Sequence, residues 1–208
     1  MKRLHRPDLF TWSVYDEAQR VDFNGFLWKR QGGNVVVDPV ALAHPDRKHL
    51  DELGGAAWIV LTNSAHVRAA RELAARTGAA LLGPFGERAA FPVPCERWLA
   101  DGDEVVPGLQ VHELSGSKTE GELALVLEDT TAIFGDLVRA HAAGALMLLR
   151  TEKLRDPAAA LASVRRFRAL HPRLEHVLVG DGWCAFRNGG TLLDELLAAS
   201  AASSGSRA

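Results

Sequence analysis

The stretch IVLTNSAHVRAA, residues 59–70, decides the fold prediction because it joins three kinds of local structure. Its apolar start is typical of a buried strand, its polar centre of a turn, and its alanine-rich end of a helix. In α/β proteins the loops that follow buried strands often carry the residues that bind ligands or do chemistry. Related functional residues are therefore expected in the loops after the other predicted strands.

The order of predicted elements indicates two sheets. Residues 22–28 and 34–38 are predicted to form a hairpin around a Gly-Gly turn, because two β-rich runs flank it. The remaining predicted strands are 58–61, 80–83, 105–106, 109–114, 123–127, 131–134 and 177–179, and the predicted helices are 46–53, 65–77, 157–170 and 191–198. The middle strands lack crossover helices, so they are expected to be antiparallel. The predicted fold class is α/β (α+β): a four-layer αββα sandwich of two mixed β-sheets face to face, with helices outside.

Size and composition favour one ordinary globular domain. The chain has 208 residues and no composition break typical of a linker, so we predict a single domain over residues 1–200. The small and polar residues 201–208 are predicted to form a disordered tail.

Charge and cysteine content exclude several function classes. The formal net charge is −2, and the densest basic run, residues 165–168, lies on a predicted helix, so no nucleic-acid partner is expected. Cys95 and Cys184 have no metal-type spacing and cannot form a disulfide framework. The N-terminus has no signal-like apolar run, and no segment has the length of a membrane span. We predict a cytoplasmic protein without a membrane partner; a homodimer is compatible with the sequence.

Five short motifs resemble those of the metallo-β-lactamase superfamily, over residues 21–186. In chain order they are Val37-Asp38-Pro39, Thr62–Arg68, Gly116–Leu123, Phe134-Gly135-Asp136 and Gly180-Asp181-Gly182. Family members have at these places an (I/V)D(T/P) turn, then T-H-x-H-x-D-H, G-H-T-P-G, (F/T)-G-D and G-H-G. The resemblance implies the sandwich fold and loops that converge on two metal ions, usually zinc, bound by histidines and aspartates.

The first ligand motif has lost most of its metal ligands, and it permits two alignments. Without gaps, Asn63 and Ala65 take the places of the two leading histidines, and Arg68 takes that of the last. With a two-residue deletion, Asn63 replaces the first histidine and His66 keeps the last. We favour the second alignment, because a turn before a helix can shorten in this way.

The later motifs depart from the family as well. Ser117 or Lys118 stands where the third histidine is expected, and Asp181 replaces the final one, whereas Asp136 is kept at the metal-bridging position. The usual dinuclear zinc site is therefore not expected. By the family's arrangement His66, Asp136 and Asp181 would surround the second metal position and hold at most one divalent ion, which could be zinc, iron or manganese.

Two functional interpretations stay open. In the first, the chain is a metal-dependent hydrolase with His66 and Asp136 as catalytic residues, acting on an ester, thioester or phosphodiester. In the second, it is an inactive pseudoenzyme that binds a small anionic molecule. The candidate ligand-binding residues are Asn63, Arg68, Ser117, Lys118, Arg139 and Trp183.

Ordinary structural roles compete with these assignments. A histidine at a helix start often only forms hydrogen bonds, a Gly-Asp-Gly sequence is also a turn signal, and arginines often face solvent. Lys118 has one sharper interpretation: its ammonium could supply the positive charge of a missing metal and form a salt bridge with Asp136.

Overall fold

A computed structural model describes residues 1–205, with side chains up to residue 200, and divides the chain into two compact units. The first unit is Met1–Leu99 and the second starts at Ala100. Each unit contains a mixed sheet and two helices, so the α/β fold class with mixed sheets is confirmed.

The first unit is built on a seven-stranded sheet whose spatial order follows the chain. Its strands are β1 (Lys2–Arg3), β2 (Leu9–Asp16), β3 (Val21–Trp28), β4 (Val35–Val37), β5 (Trp58–Val60), β6 (Ala80–Pro84) and β7 (Arg97–Leu99). Strands β1 to β4 are antiparallel, as the predicted hairpin requires, and β4 to β7 run parallel. The parallel part puts the ends of β4 and β5 at the same edge of the sheet.

Two helices connect the parallel strands of the first unit. They are α1 (His44–Glu52) and α2 (Ala70–Thr77). Helix α2 ends at Gly78, which has a φ of 73° and lets its N–H bond back to the carbonyl of Ala74. Leu73 of α2 packs into the apolar cluster of this unit together with Ile59 and Leu61.

The second unit holds a four-stranded sheet and a separate two-stranded one. The strands are β8 (Leu109–Leu114), β9 (Glu122–Leu127), β10 (Thr131–Phe134), β11 (Val138–Ala142), β12 (Ala145–Leu148) and β13 (His176–Val179). The larger sheet has the order β13-β10-β9-β8, with β10 and β13 parallel and the other pairs antiparallel; β11 pairs with β12. The antiparallel middle strands are those that the sequence predicted.

Two helices complete the second unit: α3 (Pro157–Leu170) and α4 (Gly189–Gly205). The side chain of Asp156 caps α3 by accepting hydrogen bonds from the N–H groups of Ala158 and Ala159. Phe167 of α3 packs against Phe134 of β10 in the core of this unit. Of the predicted disordered tail 201–208, the backbone of residues 201–205 belongs to α4, whereas residues 206–208 and all side chains from residue 201 onward lie outside the described residues. Among the helices described, none has both the length and the apolar character needed to cross a bilayer.

Several elements differ from the sequence prediction. The predicted helix 65–77 is a 3₁₀ turn, Ser64–His66, followed by α2, because Arg68 has a φ of 37° and interrupts the helix. Residues 105–106 form a turn instead of a strand, with the N–H of Val105 bonded to the carbonyl of Leu109. Strands β1, β2, β7, β11 and β12 were not predicted.

Candidate functional site

In the first unit the candidate site is built on the ends of β4 and β5. The register pairs Val37 with Val60, so Asp38 and Thr62 follow the two strands at one edge of the sheet. The Asp38 carboxylate accepts hydrogen bonds from the Thr62 N–H at 2.8 Å and from its hydroxyl at 2.6 Å. Asp38 has a φ of 46°, a backbone conformation that few non-glycine residues adopt, and both side chains are buried. The backbone therefore aims this carboxylate into the loop that follows β5.

The imidazole of His66 is fixed from both sides. Its Nδ1 lies 2.7 Å from Oδ2 of Asp38, and its Nε2 lies 3.1 Å from a guanidinium nitrogen of Arg68. A guanidinium can only donate, so Nε2 must accept and the ring proton must be on Nδ1, donated to the Asp38 carboxylate. His66 is thus held as the Nδ1–H tautomer.

Arg68 does not face solvent freely, as a surface arginine would. Its guanidinium also donates to the carbonyl of Asn24 at 3.2 Å and lies over the ring of Phe23, 4.9 Å from the centroid. Asn63, the other candidate of this loop, is buried and accepts the N–H of Ala65, so its amide caps the 3₁₀ turn.

In the second unit two carboxylates occupy corresponding strand ends. Phe134 of β10 pairs with Val179 of β13 in a parallel register, and Asp136 and Asp181 each follow two residues later. Both aspartates are buried, at 2% and 3% exposure. Buried carboxylates are costly unless they are paired, so their partners determine what this part of the site can do.

Arg139 joins the two carboxylates. Its guanidinium lies 3.0 Å from Oδ1 of Asp136 and also contacts Oδ2 of Asp181. Strand β11 places this side chain, because Ala140 forms a bridge with Gly182 and the N–H of Ala140 bonds to the carbonyl of Asp181. Arg139 is 6% exposed, so the three charged groups form a buried network.

Lys118 is a second cation on Asp136. Its ammonium lies 2.5 Å from Oδ2 of Asp136, which confirms the ion pair predicted from the sequence. The side chain of Lys118 is 30% exposed, whereas that of Arg139 is 7% exposed. Asp136 and Asp181 are therefore contacted by two cationic side chains, Lys118 and Arg139.

A buried glutamate, which the sequence analysis did not select, positions Asp136. Glu122 begins β9, and one of its oxygens accepts the N–H groups of Asp136 and Leu137 at 2.7 and 2.6 Å. Its other oxygen accepts the hydroxyl of Ser117, so Ser117 is a buried structural contact of this carboxylate. The sequence signal for this role was that Glu122 is an acidic residue within the Gly116–Leu123 motif.

The donor types suit a metal ion, but their present partners do not. Histidine nitrogen and carboxylate oxygen bind divalent ions only through free lone pairs. Here a guanidinium donates to Nε2 of His66, and Lys118 and Arg139 neutralise Asp136. An ion could bind these atoms only by displacing cations that the fold already holds in place, so a resident metal does not fit the arrangement described.

The remaining candidates have less defined roles. Trp183 follows the Asp181 loop and is 60% exposed, although its backbone N–H donates to the carbonyl of Ala140. Asp38 and Thr62 belong to the quoted motifs but were given no role, and the structure makes both of them partners of His66.

Fold and motifs together define an α/β protein of the metallo-β-lactamase type, with strand-end loops that carry acidic and imidazole side chains. A profile described as the metallo-beta-lactamase superfamily matches residues 1–200, and the chain belongs to that superfamily. No curated protein matches the sequence.

Solved structures agree on the fold. A metallo-beta-lactamase from Pontibacter korlensis is similar with a TM-score of 0.75 at 16% identity, covering 96% of this chain and 97% of that one. The metallo-beta-lactamase FIM-1 from Pseudomonas aeruginosa, in its mono-zinc form, gives a TM-score of 0.69 at 18% identity and covers 92% and 91%. A metallo-beta-lactamase from Erythrobacter litoralis gives a TM-score of 0.71 at 15% identity and covers 96% of this chain and 91% of that one. At these identities the likeness carries the fold alone.

Proposed function

We propose that this chain is a metal-free member of the superfamily that binds a small anionic molecule without hydrolysing it. One observation carries the proposal: the buried carboxylates of Asp136 and Asp181 are already paired with the cations of Lys118 and Arg139. Fixed side-chain charges thus take the electrostatic role that a divalent ion has in family members. A protein cation cannot activate water as a metal does, so binding is the function these groups support.

The three candidate metal ligands, His66 in the first unit and Asp136 and Asp181 in the second, are all buried. Each of the three already contacts a cationic side chain of its own unit: Arg68, or Lys118 and Arg139. Buried ion pairs with several hydrogen bonds are costly to break, because separation leaves an unpaired charge. This cost opposes the entry of an ion.

The anionic ligand would bind at Lys118, within the second unit. Lys118 is the most exposed of the cations around Asp136, so an incoming phosphate or carboxylate can reach its ammonium from solvent. Arg139 is enclosed by its carboxylates and acts as a structural cation.

The single-metal hydrolase is the second candidate. The observation in its favour is the Asp38–His66 hydrogen bond, because metal-ligating histidines usually donate their other ring N–H to a carboxylate. Asp38 would then still orient His66 as a working metal ligand, or the contact would be kept from an ancestor that bound metal.

Metal analysis separates the two candidates. Protein purified without chelator is incubated with Zn²⁺, Mn²⁺ or Fe²⁺, desalted and compared with Asp136→Asn, both proven folded by circular dichroism. We expect equal metal contents in the two proteins. One equivalent of metal that is lost in Asp136→Asn would refute the metal-free site and support the hydrolase.

Ligand binding is tested with inorganic phosphate and malonate as probes, at constant ionic strength. Either probe is expected to raise the melting temperature of the wild type and of Lys153→Met, in which an exposed lysine is removed. The increase should disappear in Lys118→Met. If neither probe shifts the melting temperature, or if Lys118→Met responds like the wild type, the anion-binding proposal fails.

A further inference from the structure

The second unit contains a pair of histidines that the candidate site does not use. His112 lies on β8 and His171 at the C-terminal end of α3, and their Nε2 atoms are 2.9 Å apart. Their rings pack beside Phe167, with centroids 5.4 and 4.9 Å from its ring. The histidine pair is defined as these two residues.

The two Nε2 atoms are at hydrogen-bond distance from each other. Two neutral imidazoles can make this contact only if one Nε2 carries a proton and the other accepts it. The ring centres are 4.6 Å apart with the planes at 76°, so the rings meet at an angle instead of end to end. The two Nε2 atoms therefore do not face each other along a straight line between the ring centres.

A metal ion fits this geometry. Two nitrogens each about 2.0 Å from one ion and about 90° apart are separated by about 2.9 Å, the distance found here. Cis nitrogens at a right angle are typical of the tetragonal coordination of Cu²⁺ and Ni²⁺, whereas tetrahedral Zn²⁺ needs a wider separation.

A carboxylate lies behind one of the rings. Oδ1 of Asp101 is 3.9 Å from Nδ1 of His112, on the side of the ring away from His171. Asp101 is itself held by Arg166 at 2.8 Å and by the N–H of Glu113 at 2.9 Å. At 3.9 Å Asp101 forms no hydrogen bond with the ring, but its negative charge would favour a cation bound at the pair.

We propose that the histidine pair is a binding site for one divalent transition-metal ion of the Cu²⁺ or Ni²⁺ type. The ion takes the place of the shared proton between the rings. That proton moves to Nδ1 of the ring that carried it, so binding needs no net proton release. An ion would reach the pair from the side of His112, whose side chain is 12% exposed.

The test titrates the full chain with Ni²⁺ by calorimetry and records the electron paramagnetic resonance spectrum after addition of one equivalent of Cu²⁺. We expect one equivalent of Ni²⁺ to bind and the copper spectrum to show coupling to two nitrogens. His112→Asn and His171→Asn should each lower the Ni²⁺ affinity by more than about tenfold, since even outer-shell changes cost that much. His44→Asn, which removes an exposed histidine of α1, should bind like the wild type.

The variant Asp181→Asn keeps this test separate from the proposed function, because it changes the candidate site and leaves the histidine pair intact. Binding that persists in Asp181→Asn and disappears in His171→Asn supports the proposal. Absence of binding, or binding that is unchanged in both pair variants, overturns it and leaves the pair as a shared-proton contact.

Discussion

The ammonium of Lys118 lies 2.5 Å from Oδ2 of Asp136, a carboxylate that the superfamily uses for metal. The turn before β9 makes this contact possible, because it packs against the start of α3: the N–H groups of Arg155 and Asp156 bond to the carbonyls of Ser117 and Gly116. A lysine held in this way gives the Asp136 carboxylate a positive partner that is part of the fold.

Arg139 should contribute more to stability than Lys118. Arg139→Met leaves two buried carboxylates short of a cation, and we expect a loss of about 3–5 kcal/mol in the free energy of unfolding. Lys118→Met should cost on the order of 1 kcal/mol, because Lys118 is partly solvated and Arg139 still pairs with Asp136. Urea denaturation measures both, with Arg150→Met, an exposed arginine, as the control. Equal losses in both variants would contradict the bridging role of Arg139.

The tautomer of His66 can be read directly. Nitrogen-15 NMR should show the proton on Nδ1 and an acceptor Nε2, because Arg68 can only donate to it. Asp38→Asn should redistribute the tautomers and lower the unfolding free energy by about 2 kcal/mol, since a hydrogen bond to a charged acceptor is lost. A wild-type spectrum with the proton on Nε2 would rule out the Arg68 contact.

The histidine pair predicts a pH dependence of stability in chelator-treated protein. Burial, and next the neighbouring His171, lower the pKa of His112 to about 4; Arg166 acts in the same direction and Asp101 opposes it. Burial likewise lowers the pKa of His171, against the effect of Asp129.

The sign follows from these pKa values. The two histidines bind protons more weakly in the folded state than in the unfolded chain, where the pKa of histidine is near 6.5. Their contribution to the free energy of unfolding is therefore complete above that pH. It should be lost as the pH falls from about 6.5 toward 4, by on the order of 2 kcal/mol. Urea titrations across this range should show the decrease in the wild type and in His44→Asn, and a smaller one in His112→Asn. A flat profile in the wild type would be inconsistent with neutral, buried rings.

Gly116 is expected to tolerate no side chain. It has a φ of 79°, and a Cβ there would lie 2.3 Å from the carbonyl oxygen of Asp156 and 2.4 Å from the N–H nitrogen of Ala160. Gly116→Ala should therefore destabilise the protein by at least about 1–3 kcal/mol and displace Lys118. Gly144→Ala is a suitable comparison, because that glycine also has a positive φ but has open space around it. Similar losses in the two variants would indicate backbone strain alone.

The sequence predicted the elements that carry strong apolar patterns. Strands 109–114 and 131–134 and helix 157–170 have the predicted bounds. Strand β2 was missed because Val14 and Tyr15 face solvent and hide its pattern, and β11 because it contains Arg139 and His141. β2 and β11 pair with strands adjacent to them in the chain, but the turns that join these strands carry no clear signal.

The candidate site was predictable only in part. The resemblance located Asp136, Asp181 and Lys118, and the Lys118–Asp136 pair was predicted. The link from Arg139 to Asp181 depends on the bridge between Ala140 and Gly182, which no local pattern encodes. Glu122 was missed for the same reason, since its role requires the register of β9 on β10. The cytoplasmic location and the homodimer stay predictions.

The cations around the buried acids have a consequence for protein engineering. Adding histidines to this scaffold would not by itself create a zinc enzyme, because Arg68, Lys118 and Arg139 would still compete for the ligating atoms. Redesign would have to begin by removing these three positive charges from a chain whose formal net charge is already −2. Until the new ion binds, such a scaffold would contain uncompensated acids, so zinc loading and folding would have to occur together.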